Sequence, residues 1–512
     1  MKHIKIPLGL FLTLIFFSCT KLKENFRDQL ETVNTANITA ADLLKNAYNA
    51  LNDFQTGDTW HSGEQTSDEI IAPTRGPDWD DNGAWRALFS HAWDANNTHI
   101  VGAFKNMLAA QFAASNVLQF NPSTQQAAEA RFIRALTMFM VLDGFDQVPY
   151  RENLTDYKLA PITLKGKDAI DFITGEITAI MNDLPDAGAA YLANKNAARV
   201  LLMKIYLNKG VYANRADPTF DAADMGQVIT LADQITASGK YSINDVFYDN
   251  FSPDNDIKSK ENIFTLHNTA GGTGGNVRGT TYQVDHYNMN PAGWNGFATL
   301  SDFYNKFEAG DQRKGMYYAY PAGLPNAGHR VNVGFLIGQQ YNLTTDNLAT
   351  PAPLSDRKGN PLIFVPEVHE RETGGNLEVT GIRVIKYPFD YATTADQKDN
   401  DWAIFRYADV LLMKAEAMLR TGDAAGGLAI VNSIRAKRGA SALGALDLNA
   451  MLDERGREMY WEGWRRQDLI RFKKFLDAWQ EKPADGDPKN LVFPIPSDQL
   501  AVNPNLVQNA GY

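Results

Sequence analysis

Ala198–Gly210 reads ARVLLMKIYLNKG and Ala408–Gly422 reads ADVLLMKAEAMLRTG, two distant segments that share A-x-V-L-L-M-K. In both, apolar residues recur at intervals of three and four, the spacing of one face of a helix. Each ends on a basic residue shortly before a glycine, which suits a helix C-terminus. The second is followed by Asp423 and a further helical pattern over Ala424–Lys437, with Ile430, Val431 and Ile434 as its apolar positions. The shared string favours kinship between two helix–turn–helix units over chance convergence of two leucine-rich helices.

Working outward, Ala41–Phe54 places Leu43, Leu44, Ala47, Leu51 and Phe54 on one stripe, and Glu129–Leu142 does the same with Phe132, Ile133, Leu136, Phe139 and Met140. Helix, glycine turn, helix, with small and large apolar residues at these spacings, resembles tetratricopeptide-type pairs. Between the helical blocks, residues 251–295 and 310–400 are rich in Gly, Asn, Asp, Thr and Pro, with strand-like pieces at Ile263–Leu266 and Ile382–Tyr387. These stretches are too long for plain connectors, and structured loops on a rigid scaffold are where binding concentrates. The expectation is a mostly α protein. A helical-pair scaffold over about 36–250 and 402–480 carries a loop-rich, aromatic-rich insertion with short strands over about 251–401, all within one domain, 19–512.

The N-terminus supplies a compartment. Met1–Lys5 carries two lysines, Ile6–Phe17 is almost wholly apolar, and Ser18 precedes Cys19, the sole cysteine of 512 residues. The pattern is that of a secretory signal peptide over 1–18. Its apolar run is too short to span a bilayer as a helix. A single thiol makes no internal disulfide, and its place behind the apolar run resembles a lipobox, in which the cysteine is acylated and becomes the first residue of the mature chain.

The formal charge of −11 argues against nucleic acid or an anionic membrane surface as partner. Eight scattered histidines form no H-E-x-x-H pattern, and with one cysteine no zinc cluster is expected. There is no D-x-D-x-D-G calcium loop, no phosphate-binding glycine loop and no G-x-S-x-G elbow, so no metal, cofactor or catalytic residue is expected.

Several strings, in order along the chain, resemble the SusD/RagB family of outer-membrane nutrient-binding lipoproteins. They are Glu64–Glu69 with Arg75–Trp79; Glu129–Ala135 running on to Gly144 and Val148–Tyr150; Phe405–Met413; Asn432–Arg435; Glu454–Glu458 with Trp461–Gly463 and Asp468–Leu469; and Phe493–Pro496 through Asn503–Leu506 to Gln508–Tyr512. The resemblance spans Cys19 to Tyr512. One departure is that Lys21 and Lys23 flank the position where surface lipoproteins of this group carry acidic residues. The resemblance implies an outer-membrane protein, anchored by lipid on Cys19 and facing the exterior. It would capture glycan for a SusC-like TonB-dependent transporter and carry out no chemistry of its own.

A glycan binder needs exposed aromatic rings, because a sugar has an apolar C–H face and a polar rim. Two segments offer rings mixed with polar groups: Arg75–Trp93, and Tyr282–Asn295, which reads YQVDHYNMNPAGWN. The candidate ligand contacts are Arg75, Trp79, Asp81, Tyr282, Tyr287, Asn288, Trp294 and Asn295. The Pro291-Ala292-Gly293 bend favours a loop that presents Trp294. Buried packing is the rival reading for every ring and the preferred one for Trp85 and Trp93. Arg75 would fan donors toward hydroxyls or pair with a neighbouring Asp.

Arg457, Glu458, Glu462, Arg465, Arg466 and Asp468 recur at helical spacing. Acids between arginines are expected to be ionised and structural, with no role as general acids. Two rivals to glycan capture remain. One is a glycoside hydrolase using Asp68, Glu69, Asp80 or Asp81, which would need two carboxylates flanking one bond. The other is peptide capture in the manner of the RagB branch, resting more on backbone contacts.

Overall fold

Ser, Thr, Asn and Asp residues start most of the long helices, and their side chains fix where each begins. The computed structural model describes residues 38–512 except 153, 155–158, 273, 275–276, 324–325, 327–329, 344–349 and 395. The leader and Cys19 lie outside the described residues. Thr39 and Asp42 form a reciprocal capping box that opens α1 (Ala40–Asn49). The helical pattern expected to reach Phe54 tightens into a 3₁₀ turn over Ala50–Phe54. Two short helices follow, α2 (Asp58–Glu64) and α3 (Ala84–Phe89). Asn97 caps α4 (Thr98–Val117), and a second capping box, Ser123 with Gln126, opens α5 (Thr124–Phe145). α5 is buried along most of its length because α1, α4, α6 (Gly166–Ile180) and α7 (Lys195–Ala213) all pack on it.

The two related strings form two helical hairpins. α7 pairs with α8 (Ala222–Ala237), and, beyond three short helices, α9 (Asn255–Lys258), α10 (Arg278–Tyr282) and α11 (Ser301–Tyr304), α12 (Tyr407–Arg420) pairs with α13 (Ala424–Lys437). α8 also packs on α12, so the hairpins stack on one another as repeats do. Lys204 of the first string reaches Asp409 of the second at 2.8 Å, both fully buried. α14 (Leu448–Met459) and α15 (Arg465–Arg471) follow, with α16 (Ser497–Val502) near the end. No helix among the described residues is long and apolar enough to cross a membrane.

Most strands fall in the Gly- and Asn-rich stretches, but Thr74–Arg75, Trp402–Arg406 and the antiparallel pair Gln147–Tyr150 with Ile162–Lys165 lie outside them. Asn262–Leu266 runs antiparallel to Trp402–Arg406, which leads directly into α12. Arg383–Ile385, Arg330–Leu336 and Gly315–Ala319 form a three-stranded antiparallel sheet. Thr74–Arg75 pairs in parallel with Arg371–Glu372, and Ile71 bridges to Ala298. These short pairings bring the early aromatic segment against the later one.

Charged residues make part of the core. Glu458 lies between Arg438 (2.8 Å), Arg313 (3.1 Å) and Arg406 (3.2 Å), all fully buried. Glu462 holds Arg406 at 2.7 Å and Lys386 at 2.5 Å. Burial alone would raise the Glu458 carboxyl, but the surrounding guanidinium groups, Arg438 foremost, outweigh it and hold the group far below the usual range. Glu458 is therefore an ionised structural group, and Glu462 is a structural ion-pair partner of the same cluster. Arg466 differs from its neighbours, donating to the Leu491 carbonyl at 3.0 Å and lying 4.2 Å from the Phe493 ring centroid.

Candidate functional site

Of the nine tryptophans, Trp294 alone is exposed, with 54% of its surface open. The loop that carries it closes on itself through the main chain. Trp294 N donates to Tyr282 O at 2.6 Å, Asn295 N to Asp285 O at 2.8 Å, and Phe297 N to Gln283 O at 2.7 Å. This brings the Trp294 indole beside Tyr282 at the end of α10, with ring centroids 5.7 Å apart and planes inclined by 36°. Arg278, one turn earlier on α10, lays its guanidinium 3.4 Å from the Tyr282 ring centroid and pairs with Asp396. Together with Gln397, Pro291 and Ala292 these groups line an open cleft of about 760 Å³.

The remaining candidates lie around this cleft rather than in it. Trp79 is half-buried against Phe297, 5.0 Å between centroids, and its indole N–H donates to the Trp294 carbonyl at 3.0 Å. A Cβ at Gly296 would overlap the Trp79 ring, so glycine there lets the two segments meet. Asp81 is exposed and accepts the Trp85 indole N–H at 2.5 Å. Tyr287 donates to Asp78 at 3.0 Å, and Arg357 covers its ring at 3.8 Å. Asn288 is exposed and donates to the Ser355 carbonyl at 2.8 Å. Trp85 is buried in α3, and Trp93 is buried outside any helix, where its indole donates to Tyr512 Oη at 2.6 Å.

Arg75 and Asn295 occupy the interior. Arg75 donates from Nε to Asn295 O at 3.1 Å and from its two terminal nitrogens to Leu377 O (2.7 Å) and Thr380 O (2.8 Å). The buried guanidinium is thus spent on three main-chain carbonyls, that of buried Asn295 and those of half-buried Leu377 and Thr380, and not on a surface Asp. Burial pushes its pKa down to about 10. Asn295 is fully buried at φ 52°, a conformation asparagine tolerates better than most residues. Its side chain donates to Glu378 O at 3.1 Å and accepts from Arg383 at 2.8 Å. These two residues fix the loop that holds Trp294.

The carboxylates weighed for hydrolysis are elsewhere. Asp68 is bound to Arg465 at 2.6 Å, Glu69 is buried beside Glu64, and Asp80 pairs with Arg86 at 2.7 Å. Asp396 is the one acid among the described residues lining the cleft. Sequence reasoning missed Arg278, Asp396 and Gln397. For Arg278 a signal existed, because it lies four residues before Tyr282 on one helix face.

A model described as the SusD family matches residues 230–490, half of the chain. The chain belongs to the SusD family. A curated member, the starch-binding protein SusD of Bacteroides thetaiotaomicron, is 25% identical over 427 residues, covering 76% of this chain and 73% of that protein. Solved SusD-family structures share the fold. A SusD superfamily protein from Parabacteroides distasonis superposes with a TM-score of 0.70 at 18% identity, covering 92% of this chain and 98% of the other. Surface glycan-binding protein A from Bacteroides thetaiotaomicron, in complex with laminarihexaose, gives 0.66 at 16% identity, covering 92% and 98%.

Proposed function

We propose that this protein captures a glycan at the Trp294–Tyr282 cleft and passes it to a SusC-like TonB-dependent transporter. In this reading it is held at the outer-membrane surface, facing outward, by lipid on Cys19. The observation that carries the reading is the exposure of Trp294 alone among nine tryptophans, with a second ring 5.7 Å away. A ring so exposed forgoes about 1.5–3 kcal/mol of burial unless an apolar partner covers it. A sugar's C–H face is such a partner, and Arg278, Asp396 and Gln397 supply donors and acceptors for its hydroxyls. Tyr282 and Trp294 stack the ligand, while Arg75, Trp79 and Asn295 position them. Tyr287, Asn288 and Asp81 extend the surface for a longer chain.

Binding occurs here without hydrolysis, because a glycosidase needs two carboxylates about 5–10 Å apart across the bond and the cleft offers Asp396 already paired with Arg278. The names of the starch-binding relative and of the laminarihexaose complex support a glycan over a peptide as cargo. The test is affinity electrophoresis of the mature chain through gels containing a panel of polysaccharides. Retention by at least one glycan, abolished by Trp294→Ala and accompanied by no released products, is the expected result. Retention unchanged by Trp294→Ala and Tyr282→Ala would overturn the site.

A further inference from the structure

Behind the aromatic cleft, α2 and α4 bring together three side chains that glycan capture does not use. Asp58 and His61 lie three residues apart on α2, hence on one face, and His99 lies in the first turn of α4. One ligand atom from each of the three lies within 4.8 Å of the others. His99 Nδ1 already meets Asp58 Oδ1 at 2.9 Å. No motif announces this group, because its members are spread over forty-two positions.

His61 carries the argument. Only 6% of it is exposed, its Nε2 meets the Gln283 side-chain amide at 3.0 Å, and its Nδ1 has no partner. A buried ring nitrogen without a partner costs about 1–3 kcal/mol, so its persistence needs a reason. The Gln283 amide oxygen is also buried without a partner. Rotating that amide by half a turn, a choice that heavy-atom positions leave open, sets its oxygen against Nε2. The ring proton then lies on Nε2 and is donated to Gln283, leaving Nδ1 as a bare lone pair. One nitrogen free and the other N–H held by an oxygen is how histidine ligates a metal.

A second feature shapes the cradle. Gly102 follows His99 by one turn of α4, and a Cβ there would overlap the Asp58 carboxylate. Glycine allows that carboxylate to reach α4 beside the two imidazoles. The Asp58 and His99 side chains keep 32% and 14% of their surface open, which gives an ion a path and leaves room for water as a further ligand.

We infer that Asp58, His61 and His99 form a binding site for a first-row divalent cation, with Zn²⁺ as the ion that two imidazoles and a carboxylate suit. The ion would clamp α2 to α4. Through Gln283, the neighbour of Tyr282, it would also brace the loop that presents Trp294. The inference stands independently of which ligand the cleft takes.

The test uses the untagged mature chain, stripped of metal with chelator and titrated with ZnCl₂ by calorimetry, and in parallel with Co²⁺ read by visible absorption. Expected are saturation at one equivalent and Co²⁺ bands of a low-coordinate nitrogen–oxygen site. Both should weaken by about tenfold or more in Asp58→Asn and in His99→Gln, with far-ultraviolet circular dichroism unchanged, while His369→Gln on the exposed surface has no effect. Absence of saturable binding in the wild type would overturn the proposal. So would binding that Asp58→Asn, the isosteric change that leaves packing intact, does not alter.

Discussion

The indole N–H of Trp79 donates to the main-chain carbonyl of Trp294 at 3.0 Å, so a half-buried tryptophan positions the exposed one. Phenylalanine at 79 keeps a ring against Phe297 but cannot donate. The lost bond is worth about 0.5–1.5 kcal/mol. Trp79→Phe should therefore weaken glycan retention by up to about tenfold without changing which glycan is retained, whereas Trp294→Ala should abolish it. Affinity electrophoresis of the two variants side by side checks the order.

Arg75 holds three main-chain carbonyls, and replacing it separates that structural role from ligand contact. Arg75→Gln strips donors from the carbonyls of Asn295, Leu377 and Thr380. The buried Asn295 carbonyl left unsatisfied costs about 1–3 kcal/mol and the half-buried other two cost less, so the melting temperature should fall along with binding. A variant that loses binding while melting at the wild-type temperature would assign Arg75 to the ligand instead.

Glu458 faces three buried guanidinium groups. Glu458→Gln keeps the shape but removes the charge, leaving cations uncompensated in a medium where each is expensive. Breaking a buried pair in this way costs about 3–5 kcal/mol. The urea midpoint should drop accordingly. A midpoint within experimental error of wild type would show that neighbouring acids suffice.

Glu64 gives a pH prediction with a definite sign. It is fully buried, and burial pushes its carboxyl up to about 7 from an ordinary value of 4.5. The folded state therefore holds the proton more tightly than the unfolded chain does. The associated stability is complete below about pH 4.5 and is lost as pH rises through 7. Glutamine imitates the protonated form and does not titrate. Relative to Glu64→Gln, the wild type should lose melting temperature steadily between pH 4.5 and 7 and then level off. A difference independent of pH would contradict the assignment.

Replacing Cys19 with alanine should yield a chain that is released from the membrane fraction and still binds glycan, but no longer supports uptake by cells. Uptake that persists with a fully soluble chain would count against tethered delivery.

Helical architecture was legible because it is local. The A-x-V-L-L-M-K strings show their period over a few turns, and α7, α12 and α13 lie where that period placed them, while α8, the partner of α7, was not read from the sequence. Exposure of Trp294 was signalled by the Pro-Ala-Gly bend before it. The fate of Arg75 was not legible, since the carbonyls that absorb it lie some three hundred positions away. Asp396 reaches the cleft only through a tertiary ion pair with Arg278, which no spacing announces. The same holds for His99 against Asp58.

The buried charges have a bearing on the order of events as the chain emerges. Arg313, Lys386, Arg406 and Arg438 are all synthesised before Glu454, Glu458 and Glu462, which complete a neutralisation that Asp311 begins at Arg313 and Glu261 at Arg406 and Arg438. Until the later stretch arrives, the strand-rich middle can pair its backbone, but Lys386 lacks its acid and one Glu261 must serve two guanidinium groups, so these cations stay partly hydrated. Its interior therefore closes late, when α14 docks. A ribosome-bound chain halted before residue 454 should remain open to protease across residues 313–438, long after the α4–α5 pair has become resistant.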